Sequence, residues 1–270
     1  MHLAQRLQFR DSVALAALTL LVFFVMLWAP LGQRTLLVEH WMVIGTYLAP
    51  ILLLVSAFNI NANGARRTWA LVILVAYIAH QFEEHWVDAL GNSYSFYAHV
   101  NALLHSMLEI DDPNLMPLTK SAIFFINTSL VWLVGLQAVV FGPKQPFTVH
   151  SIMSIALVNA ISHVALAAIT HSYNPGLVTS IFLFIPLALA YTAYVVRSQP
   201  WEMRAVWVSI GWAVIAHVLM VWGLIAANVS GLFSESVYVV LLIAWSLVPA
   251  ILTVRFRREF TPLSARAGES

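Results

Sequence analysis

The stretch Tyr77-Ile78-Ala79-His80-Gln81-Phe82-Glu83-Glu84-His85-Trp86-Val87-Asp88 decides how the chain is read. It closes an apolar run that begins at Trp69 and reads as a membrane-spanning helix. Two histidines and three acidic residues within nine positions are costly there, because ionisable groups persist inside a bilayer where they pair, bind an ion or line a wet cavity. At 100° per residue, Glu83 falls about 60° to one side of His80 and Glu84 about 40° to the other. The three side chains therefore share one helix face, with Asp88 extending it by a turn and His85 and Trp86 turned away.

The surrounding composition supports a membrane setting. The 270 residues are 61% hydrophobic and 9% charged, with a mean hydropathy of +0.84. Soluble domains carry about 25% charged residues, so the chain is expected to be an integral membrane protein in contact with lipids. The net charge of +1 comes from basic residues scattered between apolar runs, so nucleic acid is not an expected partner. Cysteine is absent, which excludes disulfides, thiolate metal sites, iron–sulfur clusters and a cysteine nucleophile. Any metal would take nitrogen and oxygen ligands alone.

Apolar runs recur at about 13–31, 41–58, 69–90, 122–141, 152–170, 178–196, 206–227 and 237–254. Each approaches the roughly 17–25 residues that cross a bilayer, so the sequence predicts an all-α polytopic bundle of about eight spans. The first run is too long for a secretion signal and no cleavage site follows it, so it is expected to be retained. Positive charge tests this count. With eight spans, one side of the membrane receives eleven of the 13 Lys and Arg residues and the other receives Arg34 and Lys120 alone. Short cytoplasmic loops are enriched in such residues, so both termini are expected in the cytoplasm, in a bacterial inner (plasma) membrane, with Glu83 and Glu84 nearer the extracytoplasmic face than His80.

One membrane domain over residues 1–260 and a small polar tail over 261–270, expected to be disordered, account for the chain. The long external connection 91–121 mixes Tyr94, Tyr97, His99, His105 and Glu109 with Leu and Met, and its 96–108 part is expected to form either a short interfacial helix or a plain amphipathic connector.

An imidazole and two carboxylates on one face make half a site for Zn²⁺, Mn²⁺ or iron. The other half has to come from other spans. Asn159 and His163, spaced i, i+4, share a face of the 152–170 run, and His217 lies in the 206–227 run. Both runs go in the same direction as the His80 run and place their histidines at a common depth. The candidate metal ligands are therefore His80, Glu83, Glu84, His163 and His217, with Asn127 as a supporting donor. A lone His217 among Ala, Val and Leu is also what a helix-to-helix hydrogen bond requires. The turn His171-Ser172-Tyr173-Asn174-Pro175-Gly176 follows the His163 run and holds Tyr173 at the mouth of the site.

Two of these features coincide with a known family. His80-Gln81-Phe82-Glu83-Glu84 resembles the H-x-x-E-E signature of the HXXEE-domain membrane proteins, and Tyr173-Asn174-Pro175-Gly176 resembles the Y-x-P-G motif that accompanies it. The resemblance covers about residues 41–194. It implies a site at His80, Glu83, Glu84 and Tyr173, with a further histidine for which His163 is the preferred match and His171 the rival. The family's function is uncharacterised, so no substrate follows.

The expectation from all of this is a membrane metalloenzyme. It would be a hydrolase of a lipid-like or amphiphilic substrate, with Glu83 as general base or bridging ligand and Tyr173 as a second catalytic group. A carboxylate-bridged di-iron oxidoreductase and a proton- or cation-coupled transporter are the alternatives.

Overall fold

In the computed structural model, residues 60–255 are described, together with residues 38, 40–43, 45, 46, 49, 50 and 52. The predicted first span and the 261–270 tail lie outside the described residues, as does much of the second span. Among the described residues the chain is all-helical, with one isolated bridge between Val87 and Ser93. The helices are α1 (Ile60–His85), α2 (Ser95–Leu108), α3 (Lys120–Phe141), α4 (Pro146–Thr170), α5 (Leu177–Ser198), α6 (Pro200–Asn228) and α7 (Glu235–Arg255). Five of them, α3 to α7, are long and apolar enough to cross a membrane. Helix α1 has the length, but Arg66, Arg67, Glu83 and Glu84 make its ends polar.

Local sequence explains the irregularities. Gly64 breaks the start of α1 with φ 66° and ψ 159°, a conformation open to glycine and strained for other residues. The run Asn127-Thr128-Ser129 opens a π-helical segment, Asn127–Leu133, inside α3. There the hydroxyls of Thr128 and Ser129 donate to the carbonyls of Phe124 and Phe125 and compete with the helical ladder. A second π-helical segment, Ser180–Phe184, stands just before Pro186, whose missing N–H removes a ladder bond.

Helix α4 is the centre of the bundle and packs on α1, α3, α5, α6 and α7. Small side chains are fully buried here, Ala156 and Ala160 on α4 as well as Ala70 on α1 and Ala213 on α6, which suits close helix packing. The outer faces of α5, α6 and α7 carry exposed Phe182, Leu189, Trp207, Trp222, Val240 and Ile251. Apolar surface this extensive suits lipid and is rare on a soluble monomer.

Cross-helix contacts set the directions. Arg66 near the start of α1 and His150 near the start of α4 meet at Glu202, while His80 and His163 meet one helix length further on. So α1 and α4 run parallel. Helices α3 and α5 run the opposite way, with Asn127 and Thr179 at the His80 end and Val139 and Tyr191 at the Arg66 end.

The sequence placed the end of the third span at Leu90, and the helix ends at His85 instead. From there Asp88 organises a turn. Its Oδ1 accepts the backbone N–H groups of Leu90 and Asn92, and its Oδ2 accepts the side chains of Asn92 and Ser95. Asp88 therefore ties α1 to the start of α2 and does not extend the His80 face. The 96–108 part of the long connection is a helix, Ser95–Leu108. Asn101 pins it by exchanging two hydrogen bonds with the backbone of Leu118.

Candidate metal centre

His80 and Glu84 come from the last turns of α1, His163 from α4, and the residues that orient them from the turn and first residues of α5. His80, Glu84 and His163 are buried, at 1%, 8% and 6% exposure, and can each offer one ligand atom within 4.8 Å of the others.

The network around each imidazole assigns its protons. Asn174 Nδ2 donates to the His163 carbonyl at 3.0 Å, which turns Asn174 Oδ1 toward His163 Nδ1 at 2.6 Å. His163 therefore carries its proton on Nδ1. For His80, the Thr179 hydroxyl donates to Glu83 Oε2 at 2.6 Å, so its oxygen is left to accept from His80 Nδ1, 2.8 Å away. His80 carries its proton on Nδ1 as well. Both Nε2 lone pairs then face one carboxylate, His80 Nε2 at 3.4 Å from Glu84 Oε2 and His163 Nε2 at 3.4 Å from Glu84 Oε1. Oriented imidazoles with Nδ1–H tied to a backbone-anchored or carboxylate-linked partner are the usual support for metal-bound histidines.

The two nitrogen-to-carboxylate distances suit a small cation. Two ligands at about 2.0–2.1 Å from a tetrahedral Zn²⁺ stand roughly 3.4 Å apart. That is too long for a good hydrogen bond between the nitrogens and the carboxylate. In this structure Asn159 Nδ2 lies 2.9 Å from His80 Nε2 and partners that lone pair.

Glu83 has a different environment. Its Oε1 accepts from the Tyr173 hydroxyl and the Val178 N–H, both at 3.0 Å, and its Oε2 accepts from the Thr179 N–H at 2.7 Å and the Thr179 hydroxyl. A carboxylate on the first N–H groups of α5 complements the positive end of that helix. Tyr173 also accepts the Ala89 N–H at 3.0 Å, which ties the end of α1 to this turn. Burial pushes its phenol above the ordinary range, helped by the Glu83 charge and opposed by the Ala89 bond, so Tyr173 stays a donor.

Gly176 closes the site from above. At φ +94°, it lies so close that an added Cβ would stand 2.8 Å from Cε1 of both His80 and His163. The Y-x-P-G glycine is thus required twice, by its backbone and by the approach of two imidazoles.

His217 stands apart from the three-residue group, with Nδ1 on the Ala213 carbonyl at 2.8 Å. His171 is the exposed C-cap of α4, with φ 50°, while His163 faces Glu84. His85, which the helical wheel turned away, lies in the site after all: its Nε2 is 2.9 Å from Glu84 Oε2. The last turn of α1 brings Glu84 back between the two imidazoles, so adjacent residues meet through the carboxylate. Asn127 lies in the same layer, with Nδ2 donating to the Ile123 carbonyl at 2.9 Å and Oδ1 accepting from Gln81.

Thr179 and Asn174, which set both tautomers, were not singled out from sequence. The signal available was their place, one inside the Y-x-P-G motif and one three residues after it, where a helix N-terminus begins. A second buried cluster was also missed. Glu202, in the first turn of α6, pairs with Arg66, lies 3.3 Å from His150 Nε2, and is linked through His150 Nδ1 to the Tyr191 hydroxyl at 2.7 Å.

Comparison with known proteins agrees with this map. Residues 71–191 match the family described as a protein of unknown function with HXXEE motif, a region that holds His80, Glu83, Glu84, His163 and the Tyr173–Gly176 turn. No curated protein and no solved structure matches the chain.

Proposed function

We propose that this HXXEE-motif chain holds a divalent metal ion, preferably Zn²⁺, on His80, Glu84 and His163, and that it hydrolyses a lipid-like or amphiphilic substrate. The observation that carries this reading is the pair of tautomers: two buried Nε2 lone pairs face one buried carboxylate at tetrahedral-edge distance. Three protein ligands and an open position are what a catalytic zinc site uses. A metal bound there supplies an activated water and polarises the bond to be cleaved.

The chain's own residues do the rest. Thr179 and Glu83 hold His80 in its ligating tautomer, and Asn174 does the same for His163. Asn159, released from His80 Nε2, is placed to hold the water. His85 donates to Glu84 and steadies its second oxygen. Water adds across an ester or amide bond, and the acid and the alcohol or amine leave. Glu83, with four donors, serves as an orienting group for His80 rather than as a general base. The same four donors weigh against a di-iron centre, which needs free bridging carboxylates.

In the membrane, the eleven-to-two distribution of Lys and Arg supports eight spans with both termini in the cytoplasm. Arg66 and Glu202 then lie toward the cytoplasm and the metal centre toward the outer face of a bacterial inner membrane.

Zinc-loaded protein in lipid nanodiscs should release product from a panel of ester- and amide-linked lipids, and chelation or His163→Ala should abolish release. Undiminished turnover after chelation would overturn the reading. Proton or cation flux across liposomes without turnover would replace it with the transport alternative.

A further inference from the structure

The two histidines of the site are not equivalent. The Nε2 lone pair of His80 accepts the Asn159 side-chain amide at 2.9 Å. Among the described residues no amide or hydroxyl donates to His163 Nε2, whose neighbour is Glu84 Oε1 at 3.4 Å. An unprotonated imidazole nitrogen has one lone pair, directed in the plane of the ring. It serves a hydrogen-bond donor or a cation, and never both at once. Asn159 and a metal therefore compete for the same pair of electrons.

Asn159 is held differently from the other asparagines around the site. Among the described residues the fully buried asparagines are Asn101, Asn127 and Asn174, and each uses both ends of its amide. Asn101 exchanges bonds with the backbone of Leu118, Asn127 joins Gln81 to the Ile123 carbonyl, and Asn174 joins the ring and the carbonyl of His163. Asn159 is half-buried, and its Oδ1 accepts no hydrogen bond among the described residues. A single bond keeps its amide in place. Its backbone lies inside α4, four residues before His163, so the side chain can leave without disturbing the helix. Exposed Ile161 and Ser162 follow it, so this stretch of α4 has open space beside it.

We propose that Asn159 is a latch on the metal centre: its amide closes on His80 Nε2 in the metal-free chain, and a divalent ion has to displace it before His80 can ligate. Glu84 and His163 are open to the ion from the start, so they receive it first and His80 completes the set. The broken hydrogen bond is a fixed penalty on binding, the same for every metal, and it raises the concentration at which the centre fills. The latch rests on the metal-site reading above, and the test tells the failure of one from the failure of the other.

Zinc affinity of the full chain in nanodiscs is measured by competition with a chromophoric chelator, in the wild type and in Asn159→Leu. Leucine keeps the shape of the side chain and removes the donor. The variant should bind zinc about three- to tenfold more tightly, the worth of one intramolecular hydrogen bond. Removing a residue that merely supports a metal site weakens the metal, so the sign of the change decides. In chelated protein labelled with 15N-asparagine, the Asn159 side-chain amide, identified by its loss in the variant, should shift when zinc is added. Asn159→Ala takes the place of Asn159→Leu if the latter does not fold. Equal or weaker zinc binding in the variant, or an Asn159 amide that does not move as the wild type takes up zinc, would overturn the latch and leave the metal centre standing. A wild type and a variant that both take up no zinc would overturn the latch and the metal reading together.

Discussion

Helix α1 carries a buried carboxylate cluster at each end, and the two are built on opposite principles. At the Arg66 end, Glu202 is matched by a guanidinium and backed by His150 and Tyr191. That cluster holds both signs of charge within the chain itself. At the other end, Glu84 faces two imidazole nitrogens whose protons are committed on the far side of the ring. No Lys or Arg meets Glu84 among the described residues. In the proposed metal-bound form, a cation supplied from outside completes it. On that reading, whether the chain itself supplies the countercharge separates a structural buried carboxylate from a functional one.

Zinc dependence should break the symmetry between the two ends most sharply. In Glu84→Gln the stabilisation that zinc gives the wild type, about 2.7 kcal/mol at a hundredfold excess over Kd, should vanish in thermal melts. In Glu202→Gln it should persist in full. A Glu84→Gln protein still stabilised by zinc would remove the distinction.

Glu202→Gln has its own cost, independent of metal, because Arg66 is left without its partner. Losing one member of a buried pair costs about 3–5 kcal/mol, and the lower end applies since the Arg66 side chain keeps 24% exposure. Denaturant unfolding with and without chelator should give the same loss.

Gly176→Ala sharpens the metal end. The strained φ of +94° alone costs about 1–3 kcal/mol, and the Cβ pushes on both imidazoles, so stability and zinc affinity should fall together. Thr179→Val is milder. It removes the hydroxyl between Glu83 and His80 and should weaken zinc about 10–100-fold in competition titrations, with the fold retained. An unchanged affinity would show that the His80 tautomer does not matter.

The smallest effect concerns the turn after α1. Burial opposes the Asp88 charge, but the bonds from Ser95, Asn92 and Leu90 outweigh it and hold the carboxyl below its ordinary value of 3.8. A folded-state value below the unfolded one gives stability that is present above about pH 3.8 and lost as pH falls through the folded value. Hydrogen exchange over residues 86–95 should therefore quicken below that pH in the wild type and change little there in Asp88→Asn.

Much of this was legible because one helix face is a local property. His80, Glu83 and Glu84 follow from 100° per residue, and the parallel direction of α1 and α4 follows from counting spans. What stayed hidden depends on how helices meet. Nothing in the sequence says that Glu83 would be spent on the N-terminus of α5 while Glu84, one position on, would stay open. Arg66 was visible as a loop charge, and Glu202 and His150 lay more than 50 residues apart, so their pairing had no sequence signature. His217 shared a depth with His80 and His163, but depth leaves the azimuth of a helix undetermined, and its ring took the Ala213 carbonyl.

Elemental analysis of the purified chain tests the central claim most directly. The account predicts stoichiometric zinc in the wild type and in Glu202→Gln, and none in His80→Ala. A wild-type protein that stays metal-free after growth in zinc, or a His80→Ala protein that keeps its full metal content, would contradict it.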